Sequence, residues 1–146
     1  MSKLTKQTKL FKQVRDLQKH KEEVDAAPVF SLNGLICMGK CVYVYDGDTA
    51  HFVIKSDNKW VKFKCRAYGY NTAEMRGGTA ETKAQARREK KALADQILND
   101  IVELHFGEFD KYGRPLVTIY KDGLNINEWM VESGNARPYL GKGTKR

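Results

Sequence analysis

Polar residues gather at three places where hydrophobic alternation does not require them. Asp46 and Asp48 flank Gly47. Arg66 shares an alternating segment with Lys62 and Lys64, and Asn71, Thr72 and Glu74 follow it. Asp110, Lys111 and Arg114 surround a tight Lys-Tyr-Gly turn. Two arginines, a carboxylate and an oxygen-rich pocket suit phosphodiester hydrolysis. A phosphate under attack by water gains charge, and planar guanidinium forks bind its oxygens two at a time. A carboxylate orients and deprotonates the water. A hard cation on oxygen ligands neutralises the remaining charge.

Each residue also has an ordinary alternative. Asp46 and Asp48 suit a plain turn. Arg66 suits a cross-strand ion pair, Glu74 a cap on the segment that follows, and Arg114 a pair with Asp110. An EF-hand is excluded: counting from Asp46, position 5 is Ala50, position 6 is His51 and position 12 is Asp57. Zinc is disfavoured, because Cys37 and Cys41 have no second pair and His20, His51 and His105 are scattered. Cys37, Cys41 and Cys65 read as buried thiols of a reducing compartment. Gly141-Lys142-Gly143 is isolated and makes no phosphate loop.

The elements that must position these residues are legible from periodicity. Residues 1–25 carry Leu10, Val14 and Leu17 at helical spacing, with Phe11 beside them, which predicts a short basic amphipathic helix. Pro28 marks a boundary, dividing a basic segment (1–27) from a folded domain (28–146). Beyond it the period becomes two. Val42 and Val44, then Ala50, Phe52 and Ile54, then Val61, Phe63, Cys65 and Ala67 mark the inner faces of three strands. Asp46-Gly47 and Ser56-Asp57-Asn58 supply the turns. A helix is expected over residues 82–98, with Ala86, Leu93 and Ile97 on its packed face. Strands follow over 101–109 and 114–121, then a short helix over 127–132 ended by Gly134. Five strands with attached helices describe an α+β domain, a closed five-stranded OB-fold β-barrel. Trp60 and Trp129 are expected in its core or rim. Arg87, Arg88, Lys90 and Lys91 read as a solvated helix face.

Composition agrees with one ordinary domain. The chain has 146 residues, 41% hydrophobic and 30% charged, which excludes wholesale disorder. No apolar run approaches the ~18 residues of a membrane span. The opening MSKLTKQTKLFKQ has no apolar signal core, so an intracellular, cytoplasmic protein is expected, without a membrane. The net charge is +8. Both ends are basic: Lys3, Lys6, Lys9, Lys12 and Arg15 at one, Arg137, Lys142, Lys145 and Arg146 at the other. This attracts polyanions, and equally keeps a chain soluble.

Tyr45-Asp46-Gly47-Asp48-Thr49, Arg66 with Glu74 eight residues on, and Asp110-Lys111-Tyr112-Gly113-Arg114 occur in this order. Asn127-Glu128-Trp129-Met130-Val131 and Gly134 follow. From about Gly34 to Tyr139 the chain resembles the staphylococcal nuclease (thermonuclease-like) family. That resemblance implies an OB-fold barrel and a calcium-dependent phosphodiesterase acting on DNA and RNA, with 5′-side P–O cleavage that leaves 3′-phosphates. A monomer whose partner is its nucleic-acid substrate is expected. By resemblance, Glu74 is the general base, and Arg66 and Arg114 bind the phosphate. Asp48, Asn71 and Thr72 hold the metal, Thr72 through its carbonyl, and Asp46 supports the metal loop. Lys111, Tyr112 and Tyr139 contact the nucleotide. Tyr112 and Tyr139 suit packing equally well.

The chain departs from the family pattern. Asn71 replaces a metal-binding aspartate, which is expected to weaken calcium binding or change metal preference. Ala73 replaces a proline, which loosens the loop carrying Glu74. With the sequence ending at Arg146, the family's third, C-terminal helix is expected to be missing, and the N-terminal segment is the candidate for replacement packing. The competing function is a non-catalytic OB-fold module that binds nucleic acid, with a weakened metal site. A protein-interaction barrel ranks last.

Overall fold

The computed structural model describes residues 3–140. The basic residues Lys142, Lys145 and Arg146, the Gly141-Lys142-Gly143 stretch and the side chain of Lys3 lie outside the described residues. The chain divides into two compact units, Met1–Phe30 and Ser31–Arg146. The first contains helix α1 (Lys3–Lys19) and a short α2 (Lys21–Asp25). Leu10, Phe11, Val14 and Leu17 of α1 are all exposed. Among the described residues no helix is long and apolar enough to cross a membrane.

The second unit is built on β1 (Ile36–Asp46), β2 (Thr49–Ser56) and β3 (Lys59–Ala67), a two-residue β4 (Tyr70–Asn71) and helix α3 (Ala80–Ile97). Then come β5 (Ile101–Phe109), β6 (Pro115–Lys121), β7 (Leu124–Asn125), helix α4 (Ile126–Glu132) and β8 (Arg137–Pro138). The sheet order is β3-β2-β1-β5-β6-β7, and β3 also pairs with β6. That last pairing, parallel at Arg66–Leu116 and Ala67–Val117, closes five strands into a barrel. Asp57 and Asn58 both take positive φ in the β2–β3 turn, the twist a two-residue hairpin demands.

The period-two pattern holds for β2 and β3 but slips in β1. Gly39 and Cys41 are buried two apart, but the next buried residue is Val44, three further on, and Val42 is only half-buried. Bulges between Cys41 and Tyr43 and between Val44 and Asp46 shift the register. An extra residue in one strand turns the following side chains to the other face. Close packing also explains Gly39, where a Cβ would lie 2.7 Å from the Leu104 side chain.

Phe52, Leu104, Val117 and Ile119 fill the interior, and Leu93 and Ile97 of α3 belong to the same buried core. Burying each such side chain contributes about 1.5–3 kcal/mol. The expected α3 face of Ala86, Leu93 and Ile97 is buried, but Glu89 lies within it. The α3 N-terminus is capped by Thr79, which accepts from Thr82 N and donates its own N–H to Thr82 Oγ1. Glu74 therefore does not cap this helix. Cys37, Cys41 and Cys65 are free. Burial pushes Cys41 up to about 11 and Cys65 to about 12, so neither is a ready thiolate.

Asn127 ties α4 to the barrel. Its Oδ1 accepts from Ile119 N at 2.9 Å, and its Nδ2 donates to Tyr68 O at 2.9 Å and Val117 O at 3.0 Å. The side chain is buried and saturated, so removal orphans backbone groups in a dry site. Asn127→Ala is expected to destabilise the fold by about 3 kcal/mol, read as a lowered urea midpoint.

Candidate functional site

The site is assembled where the β1–β2 turn meets the segment leaving β3. Asp46 forms that turn, its Oδ1 accepting from Asp48 N at 3.0 Å. The turn role is therefore real for Asp46, and Asp48 reaches across to the segment leaving β3. Asp48 Oδ2 lies 3.1 Å from Arg66 Nη1 and accepts from Thr72 N at 3.1 Å, while Thr49 Oγ1 donates to Oδ1 at 3.3 Å. Arg66 Nη1 also donates to Tyr70 O at 3.0 Å, and Nη2 donates to Asn71 Oδ1. Arg66 thus stitches the turn to β4, and the side chains of Arg66 and Asp48 are each only 13% exposed.

Two further contacts hold the turn against the 70–74 segment. The buried Tyr70 hydroxyl donates to Gly47 O at 2.8 Å. Gly47 packs so closely on Thr72 that a Cβ would come within 2.6 Å of Thr72 Cγ2. Any larger residue there would push the two loops apart.

Among the described residues, Thr72 Oγ1 is buried with no hydrogen-bond partner. Burial, reinforced by the Asp48 carboxylate beside it, pushes the Asp46 carboxyl up. Neighbouring carboxylates in a desolvated turn favour a positive charge between them. The donors here are all hard oxygens: Asp46, Asp48, Asn71 Oδ1 and Thr72. That set fits a hard cation and not zinc or another soft metal. It is a low-charge set, since among the described residues no three His, Cys, Asp or Glu side chains group as ligands.

Glu74 is exposed, and among the described residues it has neither a hydrogen bond nor an ion pair. Its loop is held one residue earlier by Glu89 of α3, which accepts from Ala73 N at 2.7 Å. Glu89 is 2% exposed. Arg137 grips it with both ends of its fork, at 2.5 and 3.1 Å, and Gln85 donates to it at 3.0 Å. Arg137 stands in β8 directly opposite Asn71 of β4, and the Asp48 charge reaches it. Sequence reasoning missed both residues of this strut. A glutamate inside a helix reads as surface, and Arg137 read as part of a basic end.

Burial alone would raise the Glu89 carboxyl, but the Arg137 fork and the Ala73 N–H hold it below its ordinary 4.5. A depressed carboxylate contributes stability that is present above its unfolded value and lost as pH falls through the folded one. Melting temperature is therefore expected to fall below pH 4.5, and more shallowly in Glu89→Gln. At neutral pH that variant should lose about 2 kcal/mol. Melting curves from about pH 7 to about pH 3 check both expectations.

The second turn is built by Asp110. Its Oδ1 accepts from Tyr112 N and Arg114 N, each at 2.9 Å, and Arg114 Nε donates to its Oδ2 at 2.7 Å. Burial works against Asp110 ionising, but these Arg114 contacts hold its carboxyl low. The pair foreseen for Arg114 is therefore present. Tyr112 is 71% exposed, so packing does not account for it. Arg114 and Lys111 each lie 5.3 Å from its ring centre. Arg114 stands two residues before Leu116, the β6 partner of Arg66. Tyr139 is half-buried, and its N–H donates to Gly69 O at 2.8 Å.

The model of the staphylococcal nuclease homologue family matches residues 64–145, more than half of the chain. The chain belongs to that family. No curated protein matches it. The match begins within β3 and takes in Arg66, Asn71, Glu74, the Asp110 turn and Arg137. The five-stranded barrel is the nuclease-type fold of the family. Trp60 departs from expectation, for it is 74% exposed and belongs to neither core nor rim. Its neighbour in that expectation, Trp129, packs against the core.

Proposed function

We propose that this member of the staphylococcal nuclease family is a metal-assisted phosphodiesterase acting on DNA or RNA. The observation that carries this is Glu74. Among the described residues it is an exposed carboxylate without a partner, on a loop held at Thr72 by Asp48 and at Ala73 by Glu89. Its carboxylate lone pairs are free to take a proton from water, as a general base requires. Arg66 is held by Asp48, Ala67 O, Tyr70 O and Asn71 and presents its remaining donors with little loss of freedom. Arg114 is oriented by Asp110 and would take a second phosphate oxygen. Asp48, Asn71 and Thr72 would hold the cation and Asp46 would support their loop, with calcium the expected metal. When bound, it would neutralise charge on the phosphate. Lys111, Tyr112 and Tyr139 would contact the nucleotide. The protein would act as a cytoplasmic monomer.

The low charge of the oxygen set favours a second reading, a barrel that binds nucleic acid without cutting it. One digestion experiment decides between them. Single-stranded DNA or RNA is expected to be degraded with calcium and protected by chelator. Intact substrate in calcium, magnesium and manganese alike would leave only the binding module.

A further inference from the structure

From Lys6 to Lys19 every residue of helix α1 is exposed, and the apolar ones are no exception. Leu10, Phe11, Val14 and Leu17 are between 49% and 67% exposed. At about 3.6 residues per turn these four side chains fall within about 120° of the helix surface. Gln7 and Gln18 share that arc, and no charged side chain described in α1 does. Lys6 and Arg15 border it on either side, and Lys9, Lys12 and Lys19 stand across the helix. One cation thus falls on each turn.

We propose that α1 lies flat on an anionic lipid surface, with its apolar stripe in the acyl boundary and its cations among the headgroup phosphates. The Glu74 site takes no part, so this surface stands or falls apart from the phosphodiesterase reading.

Charge names the surface. The helix holds six Lys/Arg against one acid, a net of +5. That acid, Asp16, lies 3.4 Å from His20. Among the described residues the ion pairs of this unit belong to His20 and Lys21, and Lys6, Lys9, Lys12, Arg15 and Lys19 have none. Juxtaposed cations are drawn to the negative potential of an anionic leaflet. The long stems of Lys6 and Arg15 can follow the edge of the stripe while their heads stay among phosphates.

The stripe decides which polyanion. A nucleic acid would meet the cations and leave Leu10, Phe11, Val14 and Leu17 in water, whereas the acyl boundary removes them from it. A second copy would set +5 against +5. The helix is also only about two heptads long, short of the roughly three or four that a coiled coil needs. A helix of 17 residues that buries no face is marginal in water, and lipid supplies the missing burial. No membrane partner is expected from the lack of an apolar span, but a helix lying in the interface needs none.

The test is sedimentation of the full chain with sucrose-loaded vesicles, of phosphatidylcholine alone or with about a third phosphatidylserine, in about 0.1 M salt. Affinity for the anionic vesicles should exceed that for the neutral ones about tenfold or more. Phe11→Ser/Leu17→Ser leaves the charge unchanged and should weaken anionic-vesicle binding about tenfold. Lys9→Gln/Lys12→Gln should weaken it by about the same factor. All four side chains are exposed, and unchanged urea midpoints would exclude unfolding. No sedimentation with anionic vesicles, equal binding to neutral ones, or a Phe11→Ser/Leu17→Ser protein that binds as tightly as the parent would overturn the lipid surface. So would an equal loss of affinity of that variant for a single strand of about 12 nucleotides, which gives the stripe to nucleic acid. A dimer of the parent that the same variant dissociates would give it to a second copy, and overturn the proposal as well.

Discussion

Glu74→Gln is expected to cut turnover on single-stranded DNA by about 10²–10⁴-fold while leaving affinity nearly unchanged. Gln keeps the size and the carbonyl oxygen of Glu but cannot accept a proton. Glu74 has no hydrogen bond or ion pair among the described residues, so its replacement breaks none in the folded chain. The loss should therefore appear in kcat with no matching fall in stability. Single-turnover cleavage beside the parent, with a urea melt of each, checks this. A variant that cleaves as fast as the parent removes Glu74 from the role of base.

The two arginines should fail differently. Losing a donor to developing phosphate charge costs about 10²–10³-fold, and that applies to Arg66→Ala and Arg114→Ala alike. Arg66 has a second function, because its guanidinium joins Asp48, Tyr70 O and Asn71 in a nearly buried cluster. Its removal leaves Asp48 desolvated without its counter-charge, and should cost about 3 kcal/mol of stability as well. Arg114 pairs with Asp110 at the surface of a turn, and its backbone N–H, which Asp110 also holds, survives the substitution. Arg114→Ala should lose activity with less than about 1 kcal/mol of stability. Paired measurements of turnover and urea midpoint separate the two, and equal destabilisation would contradict the geometry.

The barrel strands were legible because period-two alternation is a local property of β2, β3, β5 and β6. The phase of β1 was not, since the bulges near Val42 and Val44 depend on partners in β2. The Asp46 and Asp110 turns were legible from Asp and Gly placement. That Arg66 spends donors on Asp48 and Asn71 while Glu74 spends none was not, because it depends on where the β3–α3 segment settles.

Residue types and their spacing were enough to name the family, the closed barrel and the side chains that could do phosphate chemistry. Tertiary structure alone buried Glu89 against Arg137, 48 positions away, and turned Trp60 outward with Lys62 and Lys64. The physical reason is that periodicity reports only on neighbours along the chain. Which charge is desolvated, and which ring is left to solvent, is settled when distant segments close the barrel and divide its inside from its outside.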